Sequence, residues 1–225
     1  MATKDSTYIA ISIPEERGSS RDVSELLIGF LAILAVLWLP SREQLIFGPL
    51  ALLAPLVMVI SKHPTWNELG LGLRGAVRSF WILPATIVLT LLSVQLAQWL
   101  GTYHALYTPD FAHVGGYVLW TVYQQFLLQD YFMPRLTRRL TSNRAIAVAA
   151  VLFSVAHLPN LSLALGTLVW GAVSCFLFRR YRSLYVIGLA QGILGLCFAV
   201  CVPDVWHHHM RVGLGYWHYH AGPRG

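Results

Sequence analysis

The sequence predicts an all-α, polytopic membrane protein, a bundle of about seven transmembrane helices. Composition, the spacing of apolar runs and the placement of Lys and Arg carry that expectation. Of 225 residues, 56% are hydrophobic and 12% are charged, where ordinary soluble domains carry roughly 25% charged residues. A soluble fold of this size has nowhere to bury so much apolar surface, so lipid must solvate part of the chain. One domain is the sensible count. Residues 1–23 read as a polar N-terminal segment, 24–202 as the transmembrane domain with its motif-bearing part at 116–200, and 203–225 as a tail rich in histidine and aromatic side chains.

Apolar runs fall at about 25–39, 46–61, 79–100, 116–134, 145–158, 161–178 and 184–202. A helix crossing the hydrocarbon needs roughly 20 residues, within a range near 17–25. The first, second and fifth runs are short. Pro49 and Pro55 suggest a kink in the second, and Leu158-Pro159 closes the fifth. Residues 66–74 read as a short interfacial segment, and Trp38, Trp99 and Trp206 sit where an interfacial aromatic belt needs them.

The basic residues test that count. With the N-terminus inside, thirteen Lys and Arg fall in inner segments and three (Arg42, Arg211 and Arg224) in outer ones, the bias expected of cytoplasmic loops. The first 23 residues lack the basic, apolar, small-residue order of a cleaved signal peptide, so the first apolar run reads as a retained span. The net charge of +6 lies in short loops between apolar segments, which points to lipid headgroups rather than nucleic acid. Cys175, Cys197 and Cys201 all lie in apolar segments without a CxxC pattern, and read as small packing residues.

Polar residues inside these runs carry the functional signal. Gln124, Gln125 and Gln129 lie on the fourth run, His157 and Asn160 at the end of the fifth, and Gln191 in the seventh, with Gly195 one turn later. Such groups are costly in lipid and mark a site inside the bundle by default. Gln125 and Gln129, four apart, share a helix face, and Gln124 lies about 100° around from Gln125. The competing reading is interhelical hydrogen bonding, worth about 0.6–2 kcal/mol per group. The compatible depths of Gln124, His157 and Gln191, and their clustering with Asn160, set the two readings level.

The ordered set resembles the CPBP family, the CAAX prenyl protease and bacteriocin-immunity (Abi) group of intramembrane endopeptidases. That family carries Glu-Glu-x-x-x-Arg, then Phe-x-x-x-His, then His-x-x-x-Asn or a close variant. Phe153-x-x-x-His157 matches the second motif, and Leu158-Pro159-Asn160 after it is typical of bacterial members. Gln124-Gln125-x-x-x-Gln129 falls at the first motif and Gln191-x-x-x-Gly195 at the third. The resemblance spans about residues 66–200. It implies a multi-pass bacterial inner-membrane protein with a cytoplasmic N-terminus, acting on a membrane-embedded or lipidated peptide. It places Gln124 at the water-activating position with Gln125 beside it, Gln129 at the arginine position, and His157 and Gln191 in the catalytic set, while Phe153, Asn160 and Gly195 line the substrate.

The departures matter chemically. A glutamine amide keeps the shape of glutamate but has no useful basicity, and general-base catalysis usually supplies about 10²–10⁴-fold. Asp130 lies six residues from Gln124, about 240° around a straight helix, so it points elsewhere. His157 is then the one titratable group of the set. The expected activity is peptide hydrolysis by an activated water, and the alternative is an inactive pseudoprotease that binds membrane peptides or lipidated tails in an immunity or scaffold role. A small transporter or channel has no support, because broken-helix repeats are not evident. No cofactor is required. A divalent metal such as zinc on His157 with His208 and His209 is the one metal arrangement the residues offer, set against an interfacial polar tail with Trp206, Tyr216 and Trp217. His63, His104, His113, His218 and His220 read as surface residues with no partner.

Overall fold

The computed structural model describes residues 20–106 and 110–219. Most of the N-terminal segment, together with His220 and Arg224, lies outside the described residues. No strand occurs among those described, and four helices are each long and apolar enough to cross a membrane on their own.

The long helices are α1 (Ser20–Trp38), α2 (Ser41–Ile60), α4 (Ile82–Leu100), α5 (Phe111–Phe126), α7 (Ser142–Val155), α8 (Leu161–Tyr181) and α9 (Leu184–Cys201). Short α3 (Leu73–Ser79) and α6 (Met133–Thr137) sit between them, and α10 (Asp204–His207) and α11 (Leu214–Trp217) close the described chain. Local chemistry sets several boundaries. Asp110 caps α5, its Oδ1 accepting from the backbone of Ala112 and His113 at 3.0 Å each. Asn160 caps α8 through Leu163 N–H at 3.1 Å. Gly101 ends α4 in the left-handed conformation, φ 71°.

Between α5 and α6, residues Leu127–Phe132 form one π-helical stretch, all six side chains buried. Pro134 accounts for it. Proline has no N–H to give the carbonyl of Asp130 four residues back, and its ring crowds that carbonyl, so the preceding turn widens.

The helices pack as α1 with α2, α7 with α8, and α9 with both α4 and α5. One end of the bundle gathers the ion pairs. Arg135 Nε and Nη2 bond Glu25 at 3.0 and 2.6 Å, Lys62 lies 3.8 Å from the same carboxylate, Arg138 pairs with Asp22, and Arg182 donates to the carbonyl of Glu68. The opposite end gathers the C-terminal residues. His104 N–H donates to Val200 O, Gly213 N–H to Leu158 O, and Asn160 Nδ2 to His207 O. Trp38, Trp99 and Trp206 stand exposed at this second end, as a belt position requires.

Residues 203–219 are not a loose tail. They fold as a cap over this end, and Gly213 sits so close to Leu37 of α1 that a side chain there would strike its carbonyl. His104 and His113, expected to lack partners, have them: His104 Nε2 reaches Val202 O at 3.0 Å and His113 Nδ1 reaches Asp110 at 2.5 Å.

Candidate active site

A glycine row on α9 brings the polar residues together. A Cβ at Gly188 would meet Val122, one at Gly192 would meet Thr121 and Val118, and one at Gly195 would overlap the Tyr117 hydroxyl. Small residues let two helices approach closely in lipid, and Thr121 Oγ1 donates across the seam to Gly188 O at 3.0 Å. Gln191, set between these glycines, is thereby pressed against the two glutamines of α5.

Four glutamines then form one hydrogen-bonded chain. Gln129 Nε2 donates to Gln125 Oε1 at 3.0 Å, Gln125 Nε2 to Gln191 Oε1 at 2.5 Å, and Gln191 Nε2 to Gln124 Oε1 at 2.6 Å. Gln125 and Gln129 are 0% and 1% exposed. Two neighbours dictate the direction. Trp170 Nε1, which can only donate, points at Gln191 Oε1 at 3.2 Å. Ser174 Oγ gives its own hydrogen to Gly171 O, and so offers Gln129 Nε2 a lone pair at 3.4 Å. Gln129 Oε1 has no hydrogen-bond partner among the described residues.

The chain ends at a cavity of about 390 Å³ whose polar lining includes Gln124, Gln191, His157 and Trp170, a size within the range for small-ligand sites. Its remaining wall is largely aliphatic and aromatic, from α1, α2, α5, α7, α8 and α9. Leu52 of α2 and Trp120 of α5 belong to this wall and are also exposed on the outside of the bundle. No Asp, Glu, Lys or Arg lines it among the described residues.

His157 is 8% exposed, and its ring meets Phe153 edge-on at 4.9 Å. Nδ1 lies 2.6 Å from Phe153 O. A carbonyl only accepts, so Nδ1 carries the hydrogen and Nε2 keeps the lone pair. The arrangement can therefore present one basic nitrogen and one amide group to whatever enters the cavity.

The expected site residues divide. Gln124, His157, Gln191, Phe153 and Gly195 line the cavity. Gln125 and Gln129 stand behind it and hold the others. Asn160 is elsewhere: fully buried, it caps α8 and bonds His207 O and Arg211 O at 2.8 and 3.1 Å, tying down the C-terminal cap. Asp130 is buried toward Arg182 and does not line the cavity. The angle expected for it assumed a straight helix, which the π-helical stretch replaces.

The metal arrangement does not assemble, since no three His, Cys, Asp or Glu side chains come together to hold an ion among the described residues. His208 stacks on Tyr216 with centroids 4.0 Å apart, and His209 lies 3.3 Å from Asp204 and 3.1 Å from the Tyr219 hydroxyl.

Trp170 escaped the sequence reading. Its signal was available: a tryptophan belongs near a span end, whereas Trp170 falls in the middle of the run at 161–178. A buried indole N–H there has to find an acceptor.

Residues 111–197, from the start of α5 into the last turns of α9, match the family model described as Type II CAAX prenyl endopeptidase Rce1-like. This is the family the motifs resemble, and the matched stretch contains all four glutamines and His157. No curated protein and no solved structure gives a match.

Proposed function

We propose that this protein is a CAAX-type intramembrane endopeptidase that cuts a membrane-embedded or lipidated peptide with His157 as its general base. The observation that carries the reading is the fixed tautomer of His157. Its Nδ1–H is committed to Phe153 O, which leaves Nε2 basic in a residue of the cavity wall.

Peptide would enter sideways past Leu52 and Trp120, its apolar groups seated on the aliphatic wall. Nε2 of His157 takes a proton from water as the oxygen bonds to the peptide carbonyl carbon. The oxyanion is held by the Gln124 amide N–H, since Gln124 Oε1 is already bonded to Gln191. When the C–N bond breaks, His157 returns the proton to the leaving amine. Among the described residues, His157 has no carboxylate to orient it, so turnover sits below that of a glutamate-bearing site.

A second reading is a pseudoprotease that holds the same peptide uncut. The glutamine chain favours it, because amides bonded to one another build a pocket wall without supplying a base. Purified protein in lipid nanodiscs, given a peptide library, separates the two. Hydrolysis abolished in His157→Ala supports the enzyme, whereas peptide binding without product in the unaltered protein leaves the scaffold.

For topology we propose seven crossings with the ion-paired end cytoplasmic. The support is that the described contacts bring Arg135, Arg138, Lys62 and Arg182 to one end. Reporter fusions after Trp38, Leu100 and Cys201 should all read outside.

A further inference from the structure

A hydrolytic site walled by aliphatic side chains needs a supply of water that lipid cannot give. The histidine-bearing end holds a second cavity, of about 360 Å³, whose lining includes His104, His113, Asp204, His207 and His209. It is more polar than the first cavity. His113, on its rim, is exposed, and Ala105 beside it is exposed too. Two side chains, Tyr117 and Met210, line both cavities, so they stand between the polar space and the glutamine-histidine site.

Both are held in place at a cost. Tyr117 fits only because Gly195 has no side chain, since a Cβ there would overlap its hydroxyl. Met210 ends a run of three left-handed residues, with φ 46° at His208, 51° at His209 and 58° at Met210. Non-glycine residues adopt that conformation only at an energetic cost. Strain of this kind persists only where surroundings over-determine it, and it gathers at functional elements. Here the determinants are visible: Asp204 Oδ1 accepts from His209 N–H at 2.7 Å, His207 Nδ1 accepts from Met210 N–H at 3.1 Å, and His208 is stacked on Tyr216.

We infer that the second cavity is the aqueous vestibule of the intramembrane site, admitting water and small polar solutes, and that Met210 with Tyr117 is the partition through which water passes. Lipid-borne peptide and water then arrive by separate doors, the first between α2 and α5 and the second under the cap. The inference leans on the hydrolytic reading for why water is needed there, but its test reads water access without turnover.

The test uses the full chain in lipid nanodiscs, with Cys175, Cys197 and Cys201 changed to alanine and Leu194→Cys added as a reporter in the inner cavity wall. A charged, membrane-impermeant thiol reagent labels it only through an aqueous path. Labelling is expected in this background, lost when Met210→Trp fills the partition, and faster in Met210→Ala. Opposite changes from the two substitutions at one position distinguish a path from misfolding. Leu194→Cys that never labels, or labels equally with Trp, Met or Ala at 210, overturns the vestibule. If labelling follows the partition while no peptide is cut, the vestibule stands and the hydrolytic reading alone fails.

Discussion

Trp170 Nε1 donates to Gln191 Oε1 across 3.2 Å, and this contact sets the polarity of the whole glutamine chain. An indole nitrogen cannot accept. Gln191 must therefore turn its oxygen toward Trp170 and Gln125, and its NH₂ toward Gln124. Trp170→Phe removes the donor and keeps the ring. Without it, Gln191 can turn over and present its NH₂ to Gln125, whose own donor faces it. The expected loss is about 0.5–1.5 kcal/mol of stability, together with weakened peptide handling. Thermal unfolding and peptide binding in parallel check it; a variant that melts earlier yet handles peptide normally would reduce Trp170 to packing.

Restoring the carboxylate asks whether the scaffold is otherwise competent. Gln124→Glu places a base where the resemblance puts water activation, and Gln191 Nε2 remains to donate to it. The change also removes the N–H proposed for the oxyanion, a loss of about 10²–10³-fold, so the gain of about 10²–10⁴-fold from a carboxylate base should show as a net rise of no more than about 10²-fold. A binding-competent variant with no gain would show that the geometry around position 124 is wrong for hydrolysis.

The Glu25–Arg135 pair clamps the α1–α2 hairpin to the bundle. Arg135 is 3% exposed, bonds Glu25 twice, and also donates to Tyr131 O at 2.6 Å. Removing Glu25 strands the buried Arg135 charge and typically costs about 3–5 kcal/mol, whereas removing Arg135 leaves Glu25 its Arg21 and Lys62 partners. Glu25→Gln alone should therefore lower thermal stability more than Glu25→Gln combined with Arg135→Met, a non-additivity that a double-mutant cycle reads directly. Additive effects would mean that the groups act independently.

Acid should loosen the cap. Burial holds His207 below its ordinary value of 6.5, opposed by its bond to Val202 O and by the Asp204 carboxylate 3.9 Å away, with His104 and His209 also facing it. Because the folded value is depressed, the unfolded state binds more protons in the window between the two. Stability is complete above 6.5 and declines as pH falls through it. The local reason is visible: Nε2–H donates to Val202 O, so a second proton must go on Nδ1, which accepts from Met210 N–H. Limited proteolysis around residues 208–213 should accelerate between pH 7.5 and 5.5. An unchanged rate would mean that His207 does not titrate in the cap. Asp204, also depressed through Tyr219 and His209 despite its burial, gives way only at lower pH, below its ordinary 3.8.

Membrane class, the apolar runs, and the glutamines and histidine that line or back the cavity were all legible, because lipid penalises each misplaced polar group one residue at a time. A glutamine mid-span is a signal wherever it points. The legibility stopped where a residue's meaning depends on another helix. Asn160 looked like substrate-binding equipment from its place beside His157, yet it serves α8 and the cap. Nothing local to His104 announced its partner, Val202, whereas that of His113 stood three residues away at Asp110. The π-helical stretch was hidden because its cause, Pro134, reads equally well as a simple kink.

Composition and spacing alone thus established an all-helical membrane chain with a polar set at three places along it, since solvation by lipid acts on each segment separately. Which of those polar groups share a cavity, which way the amides point, and how Met210 comes to stand between two chambers were decided by packing. The glycine row of α9 and one indole N–H act between separate helices, and the locally bonded turn at His208–Met210 takes its place only because Gly213 seats the cap against Leu37 of α1.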